Sequence, residues 1–140
     1  IACWLCGRGG GCCAGGTTTW TVSSMSTYCG GRAVKVASTN AQANVLLQAI
    51  NSPGDMGKQF VVSGRVFVTA IGATGTIKLD IFDLMTSSVL TSTTALTTVS
   101  SDWVPLMQSA SVPAGGRFQV RINSSGNVEA YVDDLSLIIQ

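Results

Sequence analysis

Histidine is absent from the 140-residue chain. The commonest general base of enzymes and the commonest metal ligand are therefore missing. Charged residues are also scarce, at 11% of the sequence against about 25% in an average soluble domain. Eight Lys and Arg residues nearly balance seven Asp and Glu residues, which gives a formal net charge of +1. This balance predicts no nucleic-acid partner, because binding to phosphates depends on an excess of cations.

Long apolar runs are absent too. The best candidate, Phe60 to Ile71, is interrupted by Ser63, Gly64 and Arg65, whereas a membrane-spanning helix needs about 20 apolar residues. We therefore expect no insertion into a membrane. Apolar residues still make up 46% of the 140 residues, which is enough for the core of one domain.

The acidic residues are poorly placed for catalysis. No Asp or Glu occurs before Asp55. Asp80 and Asp83 are three positions apart on a predicted strand, so their side chains point to opposite faces. The side chains of the adjacent residues Asp133 and Asp134 also point to opposite faces. A Ser-His triad is impossible, and a cysteine nucleophile would lack its usual base, so the sequence predicts a protein that is not an enzyme.

All five cysteines lie near the start of the chain, at Cys3, Cys6, Cys12, Cys13 and Cys29. Three interpretations compete: a disulfide cluster with one thiol left over, a zinc site built on Cys3 and Cys6 with Cys12 or Cys13, and an atypical appendage. We favour the appendage, with room for one disulfide, because the zinc site lacks a second well-spaced pair. The predicted organisation is a Gly/Cys-rich arm, residues 1–16, followed by one domain, residues 17–140.

From Thr17 onward, short runs of alternating apolar and polar residues are separated by turns, as in strands with one buried face. Gly64 lies on an apolar face, where a missing side chain marks a bulge or a close approach. Pro105 favours an edge position for its strand. Ten segments have this pattern, from which nine or ten strands are expected: Thr17–Ser23, Arg32–Ser38, Asn44–Ile50, Gln59–Ile71, Ile77–Asp83, Val89–Thr98 (a strand or a pair of short strands), Trp103–Ala110, Phe118–Asn123, Val128–Val132 and Leu135–Ile139.

This pattern predicts an all-β fold, an antiparallel β-sandwich of the jelly-roll type with an irregular N-terminal arm. A short helix over Ala41–Ala49 is the one local alternative. Most of six aromatic residues are expected in the core: Trp20, Phe60, Phe67, Phe82, Trp103 and Phe118. Tyr28, Tyr131 and Trp4 are left as rings that can contact a ligand.

Several segments follow one another in the order found in a known family. They include Gly30–Val36, Pro53-Gly54, Phe60–Val68 and, most specifically, the closing Tyr-Val-Asp-Asp-Leu-Ser-Leu of Tyr131–Leu137. From Thr17 to the C-terminus, the chain resembles the carbohydrate-binding jelly rolls of the cellulose- and xylan-binding type. Domains of this kind also occur in virion and secreted surface proteins.

The resemblance implies an accessory module that binds a glycan, with aromatic rings stacked on sugars and polar side chains bonded to hydroxyl groups. The corresponding ligand-binding candidates are Tyr28 or Tyr131, with Gln119 and Arg121 beside them and Gln59 or Asn123 as further flanking residues. The family also often carries a structural Ca²⁺ ion. Asp133 and Asp134 are its candidate ligands here, because Ca²⁺ prefers oxygen ligands.

A structural role is the alternative function. The mean hydropathy of +0.39, the scarcity of rings for sugar stacking and the N-terminal arm favour contacts between protein subunits. The protein would then be a capsid decoration, tail or fibre domain that forms an oligomer or a larger assembly. Both interpretations predict a location outside the cell or on a virion surface, with a glycan or neighbouring subunits as the partner.

Overall fold

The computed structural model describes residues 19–23, 33–38 and 43–140. The predicted arm, all five cysteines of the chain, Trp4 and Tyr28 lie outside these residues. Apart from one 3-10 turn at Pro53–Asp55, the regular structure of the described residues consists of strands. The strands are β1 (Thr19–Ser23), β2 (Ala33–Ser38), β3 (Ala43–Asn51), β4 (Gln59–Ile71), β5 (Thr76–Asp83), β6 (Ser88–Ser92), β7 (Val104–Ser111), β8 (Arg117–Ser125) and β9 (Val128–Ile139).

The strands form two antiparallel sheets. The five-stranded sheet has the order β1-β2-β9-β4-β7, and the four-stranded sheet has the order β3-β8-β5-β6. The predicted all-β sandwich of about nine strands is therefore confirmed.

The core lies between the two sheets and is built from the alternating apolar residues of their facing sides. Phe60 of β4 and Phe118 of β8 meet across it, with ring centroids 4.5 Å apart and planes inclined by 22°. Around this pair are fully buried branched aliphatic side chains, namely Val36, Val62, Val66, Val68, Ile77, Leu79, Ile81, Val120 and Ile122. Branched aliphatic side chains pack well between two pleated sheets that face each other.

The last two predicted strands are one strand, β9, with a bulge. Ser63 of β4 is opposite Ser136 and Arg65 is opposite Asp133, so β9 has one more residue than β4 over this interval. Asp134 takes a left-handed conformation there, with φ +54°. A Cβ atom added to Gly64 would lie 2.5 Å from the Leu135 Cδ2 atom. The predicted bulge or close approach at Gly64 is confirmed on both counts.

Three further expectations can be compared with the fold. The helical alternative over Ala41–Ala49 is wrong, since Ala43–Asn51 is strand β3 and pairs with β8. The region Val89–Thr98 contains one strand, β6, which ends at Ser92. Pro105 lies in β7, an edge strand of the five-stranded sheet, as predicted.

The expected placement of most aromatic residues in the core is wrong for three of them. Phe67, Phe82 and Trp103 are half-buried and lie outside the core. Phe67 alternates with buried Val66 and Val68, and Phe82 follows buried Ile81, so the pleat turns both rings outward. Phe67 packs instead against Trp103, with ring centroids 5.8 Å apart.

The turn after β5 is held by the Asp83 carboxylate, which accepts hydrogen bonds from the backbone N–H groups of Met85 at 2.8 Å and Thr86 at 3.4 Å. Because the Met85 bond in particular favours the ionised form, the pKa of Asp83 is lowered despite the opposing effect of burial. Ionised Asp83 therefore stabilises the fold above the ordinary carboxyl pKa, and this contribution is lost as the pH falls through the lowered value.

We expect Asp83→Asn to flatten the dependence of stability on pH below about pH 4, where the parent loses the contribution of the charge. The amide oxygen can still accept the turn's hydrogen bonds. Asp83→Ala is expected to be less stable than the parent at neutral pH, since it loses the acceptor. Urea unfolding at a series of pH values measures both effects. A parent and an Asp83→Asn variant with parallel pH profiles would contradict the assignment.

Candidate functional site

The outer face of the four-stranded sheet carries a row of polar side chains around Arg121. In the pairing of β5 with β8, Lys78 is opposite Asn123, Asp80 is opposite Arg121 and Phe82 is opposite Gln119. These residues alternate with the core residues of the same strands, so the pleat brings them to one face. We call Phe82, Gln119 and Arg121 the Arg121 cluster.

The Arg121 side chain is fixed by both other members of the cluster. Its Cζ atom lies 3.5 Å from the centroid of the Phe82 ring. Its Nε and Nη2 groups both donate hydrogen bonds to Gln119 Oε1, at 3.1 and 2.9 Å. A cation over an aromatic ring is attracted to the electron-rich face. The Arg121 guanidinium is therefore a half-buried planar group whose position is set before any ligand arrives.

A buried carboxylate supports this arrangement. Asp80 is only 3% exposed. Its Oδ1 atom accepts a hydrogen bond from Ser92 Oγ at 2.6 Å and lies 3.7 Å from Lys78 Nζ. Burial lowers the pKa of Arg121, while the charge of Asp80 acts in the opposite direction. The guanidinium is still cationic at neutral pH, because arginine does not lose its proton in proteins.

The predicted ligand-binding residues do not all come together. Gln119 and Arg121 share the outer face of the four-stranded sheet. Tyr131 belongs to β9 of the five-stranded sheet, opposite Lys35 and Phe67, and is only 9% exposed. It therefore presents little ring surface to a sugar and shares no face with the other two. Tyr28 lies outside the described residues.

The candidate calcium ligands lie at the β9 bulge. The Asp133 carboxylate accepts a hydrogen bond from the backbone N–H of Asp134 at 2.7 Å. Asp134 is exposed. Within residues 19–23, 33–38 and 43–140, no three His, Cys, Asp or Glu side chains are grouped as metal ligands. The described residues thus give Ca²⁺ no further acidic ligand at this place, and the calcium site stays a prediction.

A groove separate from the Arg121 cluster lies at the side of the sandwich, between edge strands β6 and β7. This groove has a volume of about 370 Å³ and is lined by Ser92, Thr93, Thr94, Leu96, Val104, Pro105, Leu106, Met107 and Gln108. Gln108 Nε2 donates to Thr91 Oγ1 beside it. Ser92 belongs to both regions, because its hydroxyl group binds Asp80.

Sequence reasoning missed Phe82 and Asp80 as parts of the site. The signal was present in the alternation of β5: Lys78, Asp80 and Phe82 share one parity, while Ile77, Leu79 and Ile81 share the other. Assigning Phe82 to the core because it is aromatic hid this pattern. The even-numbered position of Phe82 in β5, shared with Lys78 and Asp80, predicts the face of its side chain better than its aromatic character does.

No protein-family model and no curated protein matches the sequence. Among solved structures, the CBM22-1 xylan-binding domain of Paenibacillus barcinonensis Xyn10C is similar, with a TM-score of 0.71 and 15% identity over 91% of this chain and 83% of that one. The chain has the jelly-roll fold of carbohydrate-binding modules. At this low identity, the likeness extends to the fold alone.

Two further structures have this carbohydrate-binding-module-like fold in longer chains. The CBM22-1-GH10 modules of the Clostridium thermocellum xylanase Xyn10B, complexed with xylohexaose, match with a TM-score of 0.65 and 18% identity, over 91% of this chain and 26% of that one. The enzymatically active domain of tailspike protein 4 from bacteriophage CBA120 matches with a TM-score of 0.62 and 13% identity, over 88% and 18%.

The described part of the chain contains no helix with the length and apolar character needed to span a bilayer.

Proposed function

We propose that this protein is a non-catalytic glycan-binding module that holds its ligand on the outer face of the four-stranded sheet, at the Arg121 cluster. The observation that carries the proposal is the fixed Arg121 guanidinium, which lies 3.5 Å above the Phe82 ring and is bonded to Gln119. A binding group that is already oriented loses less conformational entropy when the ligand binds.

The chemistry of the cluster suits a sugar. Each hydroxyl group of a sugar both donates and accepts hydrogen bonds. The Arg121 guanidinium has five N–H groups, and its bonds to Gln119 use one from Nε and one from Nη2. The Gln119 amide adds donors next to them. These groups can bond to the hydroxyls of a sugar that lies against the cluster.

The fold supports the same function. The similar structures include a domain named for xylan binding and a module complexed with xylohexaose. A module that binds polysaccharides of this kind meets them outside the cell, so we propose an extracellular location. The scarcity of catalytic groups in the sequence agrees with a role in binding alone.

Affinity electrophoresis in gels containing different polysaccharides tests the proposal. We expect retardation by at least one polymer, and loss of most of it in Arg121→Ala, with an affinity reduced about 10- to 100-fold, as for central residues of binding sites. Gln119→Ala should weaken binding less, because Arg121 is still held by Phe82.

Gln59→Ala is the matched control, since this exposed residue lies on β4 of the five-stranded sheet. It should migrate like the parent in every gel. Lack of retardation of the parent by all polymers, or an Arg121→Ala variant that binds as tightly as the parent, would refute the proposed site.

A role in assembly is the second candidate, and exposed apolar side chains favour it. Met85, Val89 and Leu90 are 58%, 51% and 41% exposed at the β5–β6 hairpin, and Met56 is 54% exposed. The Gly115 backbone N–H donates a hydrogen bond to Met56 Sδ at 3.2 Å, and a Cβ atom added to Gly115 would lie 3.0 Å from Met85 Cγ. A tailspike domain among the similar structures agrees with a place on a virion surface. Sedimentation of the protein as a monomer at high concentration would argue against this role.

A further inference from the structure

We infer that the preferred ligand is an acidic polysaccharide, whose sugars carry carboxylate groups. This inference rests on the proposed function and concerns the same site. It starts from an imbalance of charge on the outer face of the four-stranded sheet. Three cationic residues lie on this face, Lys78, Arg117 and Arg121, against one anionic residue, Asp80. Neither β3 nor β6 contains a charged residue.

The single anion of this face is not available to a ligand. The side chain of Asp80 is 4% exposed, bonds to Ser92 and lies 3.7 Å from Lys78 Nζ. The cations are more accessible: Arg117 is exposed, Arg121 is half-buried and the Lys78 side chain is 33% exposed. A ligand therefore meets positive charge here, although the whole chain has a net charge of only +1.

The contacts of Arg121 also point to an anion. Phe82 and Gln119, which hold the guanidinium in place, are both neutral. A guanidinium binds a carboxylate through two parallel N–H groups, in a planar geometry that a sugar hydroxyl cannot match. Asp80, opposite Arg121 on β5, acts on the guanidinium through its charge, but its Oδ1 atom bonds to Ser92 and lies beside Lys78 Nζ. A carboxylate of the ligand would add an anion in direct contact with the guanidinium.

The spacing of the cationic side chains fits a polymer that carries charges at regular intervals. Arg117 and Arg121 lie on the same side of β8, and four residues of strand span about 13–14 Å. Lys78 projects from the neighbouring strand, opposite Asn123, and strands are about 5 Å apart. Charges arranged along a strand can engage successive acidic sugars of one chain, which strengthens binding without a deep pocket.

The test compares polygalacturonate with its fully methyl-esterified form, which has the same backbone without the charge. Titration calorimetry on the full chain should give at least about tenfold tighter binding to the acid form. The preference should fall steeply with added salt, because exposed charges are screened. Arg121→Gln should remove most of the preference, and Arg117→Gln should reduce it.

Lys35→Gln is the matched control, because it removes one positive charge from the five-stranded sheet, where Lys35 pairs with Glu129 at 3.6 Å. It should keep the parent's preference, which separates a local site from the effect of net charge. Dextran sulfate distinguishes carboxylate recognition from attraction to any polyanion. Equally tight binding of the sulfated polymer would overturn the assignment to carboxylates.

Failure of this inference is distinguishable from failure of the proposed function. Equal affinity for the acid and the ester, or binding of neutral polysaccharides alone, overturns the acidic ligand and leaves glycan binding in place. Absence of binding to every polysaccharide, charged or neutral, overturns both.

Discussion

Phe118→Ala is expected to lower the free energy of unfolding by about 3–5 kcal/mol. Phe118 is fully buried and its ring stacks on Phe60 across the core. The two rings belong to different sheets, so truncation of one leaves a cavity at the junction of the sandwich. A domain of this size has about 5–15 kcal/mol of stability in total, so this loss would be visible in both thermal and urea unfolding.

A double-mutant cycle with Phe60→Ala separates the ring contact from the cavity. We expect a coupling free energy of about 0.5–1.5 kcal/mol between the two positions, the typical contribution of an aromatic pair beyond its buried area. Met107→Ala is the control, because this apolar side chain on β7 is 68% exposed. It should change stability by less than about 0.5 kcal/mol. Equal effects of Phe118→Ala and Met107→Ala would contradict the described core.

Gly116→Ala is expected to cost about 2–4 kcal/mol for two separate reasons. Gly116 has φ +69°, a conformation that costs a residue with a side chain about 1–2 kcal/mol. An added Cβ would also lie 2.5 Å from the Cα atom of Pro53 and 2.6 Å from its backbone N atom. Backbone atoms cannot turn aside as a side chain can, so the contact must be relieved by a shift of the whole turn.

The shift would also disturb a hydrogen bond, since the Ser52 backbone N–H donates to the Gly116 carbonyl oxygen at 2.8 Å. Gly54→Ala, in the 3-10 turn that Gly116 packs against, is the matched control. No heavy atom lies within 4 Å of its added Cβ, and Gly54 has no positive φ. We expect a change within about 0.5 kcal/mol there. Urea unfolding measures the free energy of unfolding of the two variants. A Gly116→Ala variant as stable as Gly54→Ala would refute the described packing.

The strands could be predicted because the alternation of apolar and polar residues and the turns between strands are visible within short stretches of sequence. Gln59–Ile71 was predicted with both of its observed ends, since apolar and polar residues alternate between clear turns. The bulge opposite Gly64 was foreseen from one missing side chain on an apolar face. The β9 strand was divided in two because Asp133 and Asp134 interrupt its apolar pattern, as an extra residue in a bulge does.

The site could be predicted only in part, because the pairing of strands is not local. Gln119 on β8 and Tyr131 on β9 lie on consecutive strands, so a single groove that holds both is a natural expectation. However, β8 pairs with β3 and β5, whereas β9 pairs with β2 and β4. The loop between β8 and β9 crosses from one sheet to the other. Alternation within a strand gives the face of a residue but not its sheet, and this separates Tyr131 from the Arg121 cluster.

The position of β9 determines when the molecule can fold during its synthesis. Val128–Ile139 is synthesised after β1 to β8, yet it lies between β2 and β4 and joins them into one sheet. A nascent chain without it can pair β3, β8, β5 and β6, but the sheet that covers their inner face stays divided into the β1–β2 pair and the β4–β7 pair. The apolar inner faces of the earlier strands therefore stay partly exposed until β9 has been synthesised and pairs with β2 and β4.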